Sequence, residues 1–296
     1  MTERVIDISK VGVSLRLLHK QLVVTLPDDT SQTHPLDDVA VIVSAHPRTT
    51  FSQAVLAELI GQGGMFIVCN EKCLPVGMLL PLVTNYIQVE RMAAQMHAKL
   101  PVHKRLWQQV VVAKVNAQAG LLQRLRGTDG GIGGMAGRVH SGDSENIEAQ
   151  AAVRYWRLLF ADPSFRRNYK ADDQNRPLNY GYAVLRAIVA RGLCAAGLHP
   201  SMGMQHHNRY NPFCLADDIM EPMRPIVDEA VVRLVEKRGP TAPLDSEAKT
   251  ELIHALQGRF DCSGEMRTLF DIANRLGSTV ANAYMGHKVS LAFPAV

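Results

Sequence analysis

Short apolar runs separated by turn residues fill the first 85 positions. VIDISK, VSLRLLHK, QLVVTLP, DVAVIVSA and MFIVCN are β-branched stretches bounded by Pro, Asp, Asn and Gly, a pattern that predicts strands. One interruption, TTFSQAVLAELIGQGG, sets Val55, Leu56, Leu59 and Ile60 at helical spacing, with Ser52 as a cap and Gly61 as a stop. From about Tyr86 the apolar period lengthens from two residues to about 3.6. Ile87, Val89, Met92, Ala93 and Met96 predict one helix; beyond Pro101, Leu106, Val110, Val111, Ala117, Leu121 and Leu125 predict a longer one. Helical patterns return over about 145–160, 178–195, 215–238, 246–258 and 266–285. Strands first and helices afterwards, without βα alternation, predict an α+β chain or two separate domains. Its expected parts are a β-rich, β-sandwich-like domain over 1–85 and a larger all-α domain over 86–296, with the boundary near 80–90.

The glycine-rich stretch GTDGGIGGMAGRVHSGDS, residues 127–144, breaks the helical pattern. It contains a loose G-x-G-x-x-A, but it follows a helix rather than a strand, and no G-x-x-x-x-G-K-[ST] occurs in the chain. It reads as a flexible connector and not as a nucleotide cradle. No apolar run reaches about 18 residues, so no membrane helix is expected, and MTERVIDISK has neither the basic nor the apolar region of a signal peptide. A cytoplasmic protein is the default expectation. Five cysteines, mostly isolated, suit a reducing compartment. The pair Cys69 and Cys73 has no second pair to complete a zinc site and reads as two thiols around a turn.

Charge adds a segregation that the net value of +4 conceals. Residues 86–212 hold 17 basic and 8 acidic side chains, whereas both flanking segments are net acidic. Such a block is either an electrostatic footprint for a polyanion or a set of solvated helix faces.

Candidate chemistry is concentrated in HHNRYNPFCLADDIMEP, residues 206–222. Asp217 and Asp218 lie four and three residues before Glu221, which clusters carboxylates on the first turns of a helix that Pro222 must start or kink. Acids there can simply complement the helix dipole. Imidazole from His206 or His207 beside carboxylate oxygen instead suits a catalytic divalent ion. Upstream, Asp143 or Ser144 can cap a helix on which Ile147, Ala151, Tyr155, Leu158 and Leu159 face inward, with Glu148 beside the small residues Ala151 and Ala152.

Taken in order, several segments carry a resemblance. They are N-I-E-A-Q-A-A-x-x-Y-W, L-N-Y-G-Y-A-V-L-R, G-L-H-P-x-x-G-x-x-H-H-N and F-C-L-A-D-D-I-M-E-P-M-R-P-I-V-D. With HPRTTFSQAVLAEL and IVCNEKCLPVGMLLP nearer the N-terminus, they resemble the CRISPR-associated integrases of spacer acquisition, the Cas-one family, in its type II form. The resemblance covers most of the chain.

It implies a β-rich dimerisation domain, an α-helical catalytic domain and a homodimer that binds a dimer of the small partner Cas two. Its metal ligands correspond to Glu148, His206 and Glu221, with Asp218 and His207 in support, holding Mg²⁺ or Mn²⁺. The implied reaction is transesterification, a protospacer 3′-hydroxyl attacking a phosphodiester of the CRISPR leader–repeat DNA. The ion would lower the hydroxyl's pKa and neutralise charge developing at phosphorus. Arg138, Arg154, Arg157, Arg166, Arg167, Lys170, Arg186 and Arg191 then become candidates for holding double-stranded DNA, and the type II effector nuclease, Cas nine, a further candidate partner. Tyr155, Tyr180, Tyr182 and Tyr210 read as packing residues first and DNA contacts second. A hydrolytic DNA nuclease and a non-catalytic DNA-binding scaffold are the competing readings.

Overall fold

Residues 3–71, 75–81 and 85–296 are described by the computed structural model. Its N-terminal part holds β1 (Arg4–Ile8), β2 (Ser14–Leu18), β3 (Gln21–Thr25), β4 (Ser31–Pro35), β5 (Val39–Ser44), β6 (Thr50–Phe51), α1 (Gln53–Gly61), β7 (Met65–Cys69) and β8 (Pro75–Leu79). Two four-stranded sheets result, ordered β1-β5-β7-β8 and β4-β3-β2-β6. Leu15, Leu22 and Val24 of one sheet share an apolar core with Ile42 and Phe66 of the other, and Val55 and Leu59 of α1 join it. The β-rich, sandwich-like expectation therefore holds.

One detail corrects the sequence reading. β1, β5 and β7 run parallel, and α1 lies between β5 and β7 in the chain, so a βαβ crossover does exist. Parallel neighbours cannot be joined by a tight turn, and α1 supplies the needed connection. Residues of β5 are buried along its whole length because both faces are covered. Ile42 points to the sheet–sheet core, while Val41 and Val43 join the core of the helices. That larger core thus runs across the 80–90 region, of which 82–84 lie outside the described residues.

The helical part holds α2 (Gln88–Met96), α3 (Leu100–Arg126), α4 (Ile147–Leu159), α5 (Asn175–Ala195), α6 (Cys214–Met220), α7 (Arg224–Arg238), α8 (Ser246–Leu256) and α9 (Leu269–Tyr284). Pro101 sits in the first turn of α3, where its missing N–H is harmless, and Gly127 ends that helix at φ 72°. α5 is buried on nearly every side, as its apolar run predicts. It crosses α9 at Gly192 and Gly277. A Cβ on Gly192 would meet the Ala273 backbone at 2.5 Å, and one on Gly277 the Gly192 carbonyl at 2.5 Å.

Two further readings need correction. The all-α expectation misses a hairpin, β9 (Arg259–Cys262) with β10 (Glu265–Thr268), joined by Ser263 and Gly264 at φ 60° and 84°. The helix expected from 266 begins at Leu269, capped by Thr268. The glycine-rich stretch is not a bare connector. It contains a 3-10 turn (Gly133–Arg138) and buries Ile132, Met135 and Val139, with Asp129 accepting from the Gly131 and Gly133 N–H groups. Among the described residues no helix is long and apolar enough to cross a membrane. Cys69 is buried, and Cys73 lies outside the described residues.

Candidate metal centre

Glu148 is the second residue of α4, and the turn before it fixes its position. Asp143 and Asn146 adopt left-handed φ values of 50° and 55°, a conformation that Asp and Asn tolerate better than most residues. Through this turn the Asp143 carboxylate accepts from Ile147 N at 2.8 Å and from Glu148 N at 2.9 Å. The capping expected of Asp143 or Ser144 belongs to Asp143, and it holds the start of the helix that carries Glu148.

Pro222 forces the break expected of it. α6 stops at Met220, a 3-10 turn (Glu221–Met223) follows, and α7 begins at Arg224. Glu221 therefore projects from a kink into the space between α3 and α4. Its carboxylate is buried, with the Arg224 guanidinium 2.8 Å from Oε1 and the Lys114 ammonium of α3 2.5 Å from Oε2. Burial alone would raise its pKa; Arg224 and Lys114 overcome that and hold it at about 2. Lys114 also contacts Glu148, so one ammonium joins the two acids. Glu221 Oε2 makes no aligned hydrogen bond despite this ion contact.

His206 reaches the same region from the loop before α6. Its Nδ1 pairs with Asp218, and its ring stands edge-on to Trp107 with centroids 5.7 Å apart. Asp218 is fully buried and organises the loop as well, accepting from Met204 N at 2.7 Å and Gln205 N at 2.9 Å. Gly203 permits that approach: a Cβ there would lie 2.2 Å from the His206 carbonyl oxygen. The Asp218 hydrogen bond raises the His206 pKa against the effect of burial, and the charges of Asp218, Glu221 and Glu148 act in the same direction. Asp218 thus fixes the ring and the loop. Asp217 pairs instead with Arg186 at 2.6 Å and accepts from Asn211 at 2.7 Å, tying helix to loop. His207 faces away into a cavity of about 710 Å³ that His103, Arg209 and Tyr210 also line.

The donor set suits a hard divalent cation: two carboxylates, one with an oxygen lacking an aligned donor, and an imidazole whose Nδ1 is already held. Among the described residues, however, no three His, Cys, Asp or Glu form a ready-made metal group. Lys114 stands between the two acids. This lysine and Arg224 are the residues sequence reasoning missed. The signal for Lys114 was present, since it interrupts the buried stripe running through Val110, Val111, Leu121 and Leu122 of α3.

The proposed DNA-contacting residues divide. Arg138, Arg154, Arg157, Arg166 and Lys170 are exposed. Arg154 and Arg157 lie on the outer side of α4, Arg138 pairs with Glu145 at 3.4 Å, and Arg166 donates to the carbonyls of Pro163 and Phe165. Arg167, Arg186 and Arg191 are half-buried internal ties. Arg167 bonds Asn175 and Asn179, and Arg191 donates to the Gly63 carbonyl at 2.7 Å. Tyr155, Tyr180 and Tyr182 are buried, and Tyr210 is exposed.

Residues 6–251 match the family model described as CRISPR associated protein Cas1. A CRISPR-associated endonuclease Cas1 from Neisseria meningitidis is 37% identical over 248 residues, covering 83% of this chain and 80% of its own. One from Pyrobaculum aerophilum is 25% identical, covering 94% and 98%. Among solved structures, a casposase bound to integration product superposes with a TM-score of 0.79 at 18% identity, over 97% of this chain and 92% of its own. A CAS1 protein from Thermotoga maritima does so at 0.77 and 14%, over 97% and 99%. These two likenesses concern the fold; the family model and the meningococcal relative concern descent, and on them the chain belongs to the CRISPR-associated Cas1 family.

Proposed function

We propose that this protein is a metal-dependent DNA integrase and endonuclease of CRISPR adaptation, of the type II branch. The observation that carries the reading is the convergence of Glu148, Glu221 and an Asp218-oriented His206 at one place. Family membership, relatives named endonucleases, and the fold shared with a casposase bound to integration product support it. Glu148, Glu221 and Nε2 of His206 are the groups that would hold Mg²⁺ or Mn²⁺. Bound there, such an ion supplies Lewis-acid activation of a hydroxyl and neutralisation of phosphoryl charge.

The chain's own residues supply the rest. Asp218 keeps the His206 ring in one tautomer and orientation. Arg224 keeps Glu221 ionised inside the protein. Arg154 and Arg157, on the outer side of the helix that carries Glu148, are suited to hold a DNA backbone beside the site. In the transesterification, the protospacer 3′-oxygen forms a bond to phosphorus, loses its proton, and displaces the 3′-oxygen of the array strand. One phosphodiester forms as one breaks, so no external energy source is needed.

Residues 1–85 as a dimerisation domain, a homodimer, and the small Cas two partner belong to the same proposal; Cas1–Cas2 complexes occur among the structures sharing this fold. The test supplies protospacer duplex with 3′-hydroxyl ends, a leader–repeat target, Cas two and Mg²⁺ or Mn²⁺. Joined strands that vanish in Glu148→Ala and His206→Ala are expected. Fragments without joined products indicate a hydrolytic nuclease, and DNA binding without metal-dependent products indicates a scaffold.

A further inference from the structure

Lys114 has no part in the function proposed above, yet α3 buries it to 7% exposure, with its ammonium against both Glu148 and Glu221. A buried ammonium is unfavourable unless paired, and here both partners are acids assigned to the metal. An ion held by those two carboxylates would compete with Lys114 for the same oxygens. The local charge sharpens the point. Glu148, Glu221 and Asp218 carry three negative charges and Lys114 and Arg224 two positive ones, leaving the centre at −1 with neutral His206. A divalent ion alone takes this to +1; an ion together with one phosphodiester brings it to neutrality. Without Lys114 the centre would stand at −2 and match a divalent ion unaided.

We propose that Lys114 is a built-in counter-charge that competes with the divalent ion for Glu148 and Glu221, so that metal and DNA bind cooperatively. This rests on the metal reading of those acids. Coupling of this kind is reciprocal, so each ligand strengthens the other by the same factor.

The test measures Mn²⁺ affinity from the free-ion paramagnetic resonance signal, with and without a DNA duplex, in wild type, Lys114→Met, Lys114→Gln and Glu221→Gln. Wild type is expected to bind Mn²⁺ about tenfold more tightly with DNA present. Both Lys114 variants are expected to bind it about tenfold more tightly than wild type without DNA, and to gain little when DNA is added. Thermal unfolding provides a readout independent of DNA. With a chelator both variants melt below wild type, because half-buried Glu148 and buried Glu221 lose the ammonium they share, and Mn²⁺ raises their melting temperature more than that of wild type. Unchanged or weaker Mn²⁺ binding in both Lys114 variants, while Glu221→Gln abolishes binding, overturns this inference and leaves the metal reading standing. Mn²⁺ binding indifferent to Glu221→Gln overturns both.

Discussion

Two buried acids seven residues apart, Glu221 and Asp228, meet opposite fates. Glu221 faces an ammonium and a guanidinium, and its pKa falls to about 2. Asp228, one helical stretch further on, accepts from the hydroxyls of Tyr155 at 2.7 Å and Tyr182, and burial drives its pKa up to about 6. Arg224 lies between the two clusters, paired with Glu221 and stacked 4.8 Å over the Tyr182 ring. Burial is common to both acids, so burial does not decide the charge of a carboxylate. Full cations beside Glu221 hold it ionised, as the proposed metal role requires; burial beside phenols and more distant guanidinium groups leaves Asp228 to titrate near pH 6.

The sharpest way to break this comparison is to remove the acids from the centre itself. Glu148→Ala is expected to leave folding and metal-free DNA affinity intact while joining falls on the order of a thousandfold, the scale of transition-state charge stabilisation by an ion. A quantitative integration assay checks this, and full activity would remove Glu148 from the site. Asp218→Asn acts one step back. Losing the charge that orients His206 should lower activity and metal affinity by roughly 10- to 100-fold. Single-turnover rates and Mn²⁺ titration read both quantities.

The other half of the comparison is read through pH. Because the Asp228 pKa is raised in the fold, its contribution to stability is complete below its unfolded value of roughly 4 and is lost as pH rises through about 6. Wild type should therefore lose on the order of 3 kcal/mol relative to Asp228→Asn across that window. Urea unfolding at a series of pH values checks the slope, and parallel profiles would mean that folding does not raise the Asp228 pKa. The smallest effect separates outer arginines from inner ones. Arg154→Ala and Arg157→Ala should each weaken DNA binding and reduce the salt slope by about one. Arg191→Ala should lower the melting temperature and leave that slope alone, since its guanidinium is engaged with Gly63 and Glu3.

How far each feature could be read in the sequence follows from how local its cause is. The strands β1, β2, β3, β5 and β7 and the long helices come from periodicity within a dozen residues, and all are found near the expected places. β4, with the polar sequence SQTHP, has no such signal and exists because β3 offers it a partner edge. The β9–β10 hairpin is also polar, and only the Ser263–Gly264 pair between its strands hints at a turn.

The chain alone determined the α+β order, the kink at Pro222, the cap before Glu148, and, through ordered motifs, the family. Tertiary structure decided which histidine faces the acids, which arginines remain at the surface, and that Lys114 joins Glu148 to Glu221. The reason is physical: helix breaks and caps depend on neighbours along the chain, whereas the partner of a buried charge is set by how α3, α4 and the Glu221 turn meet. In HHN, His206 and His207 are adjacent in sequence and equal in chemistry; Asp218 and Trp107, brought in by the fold, hold only His206.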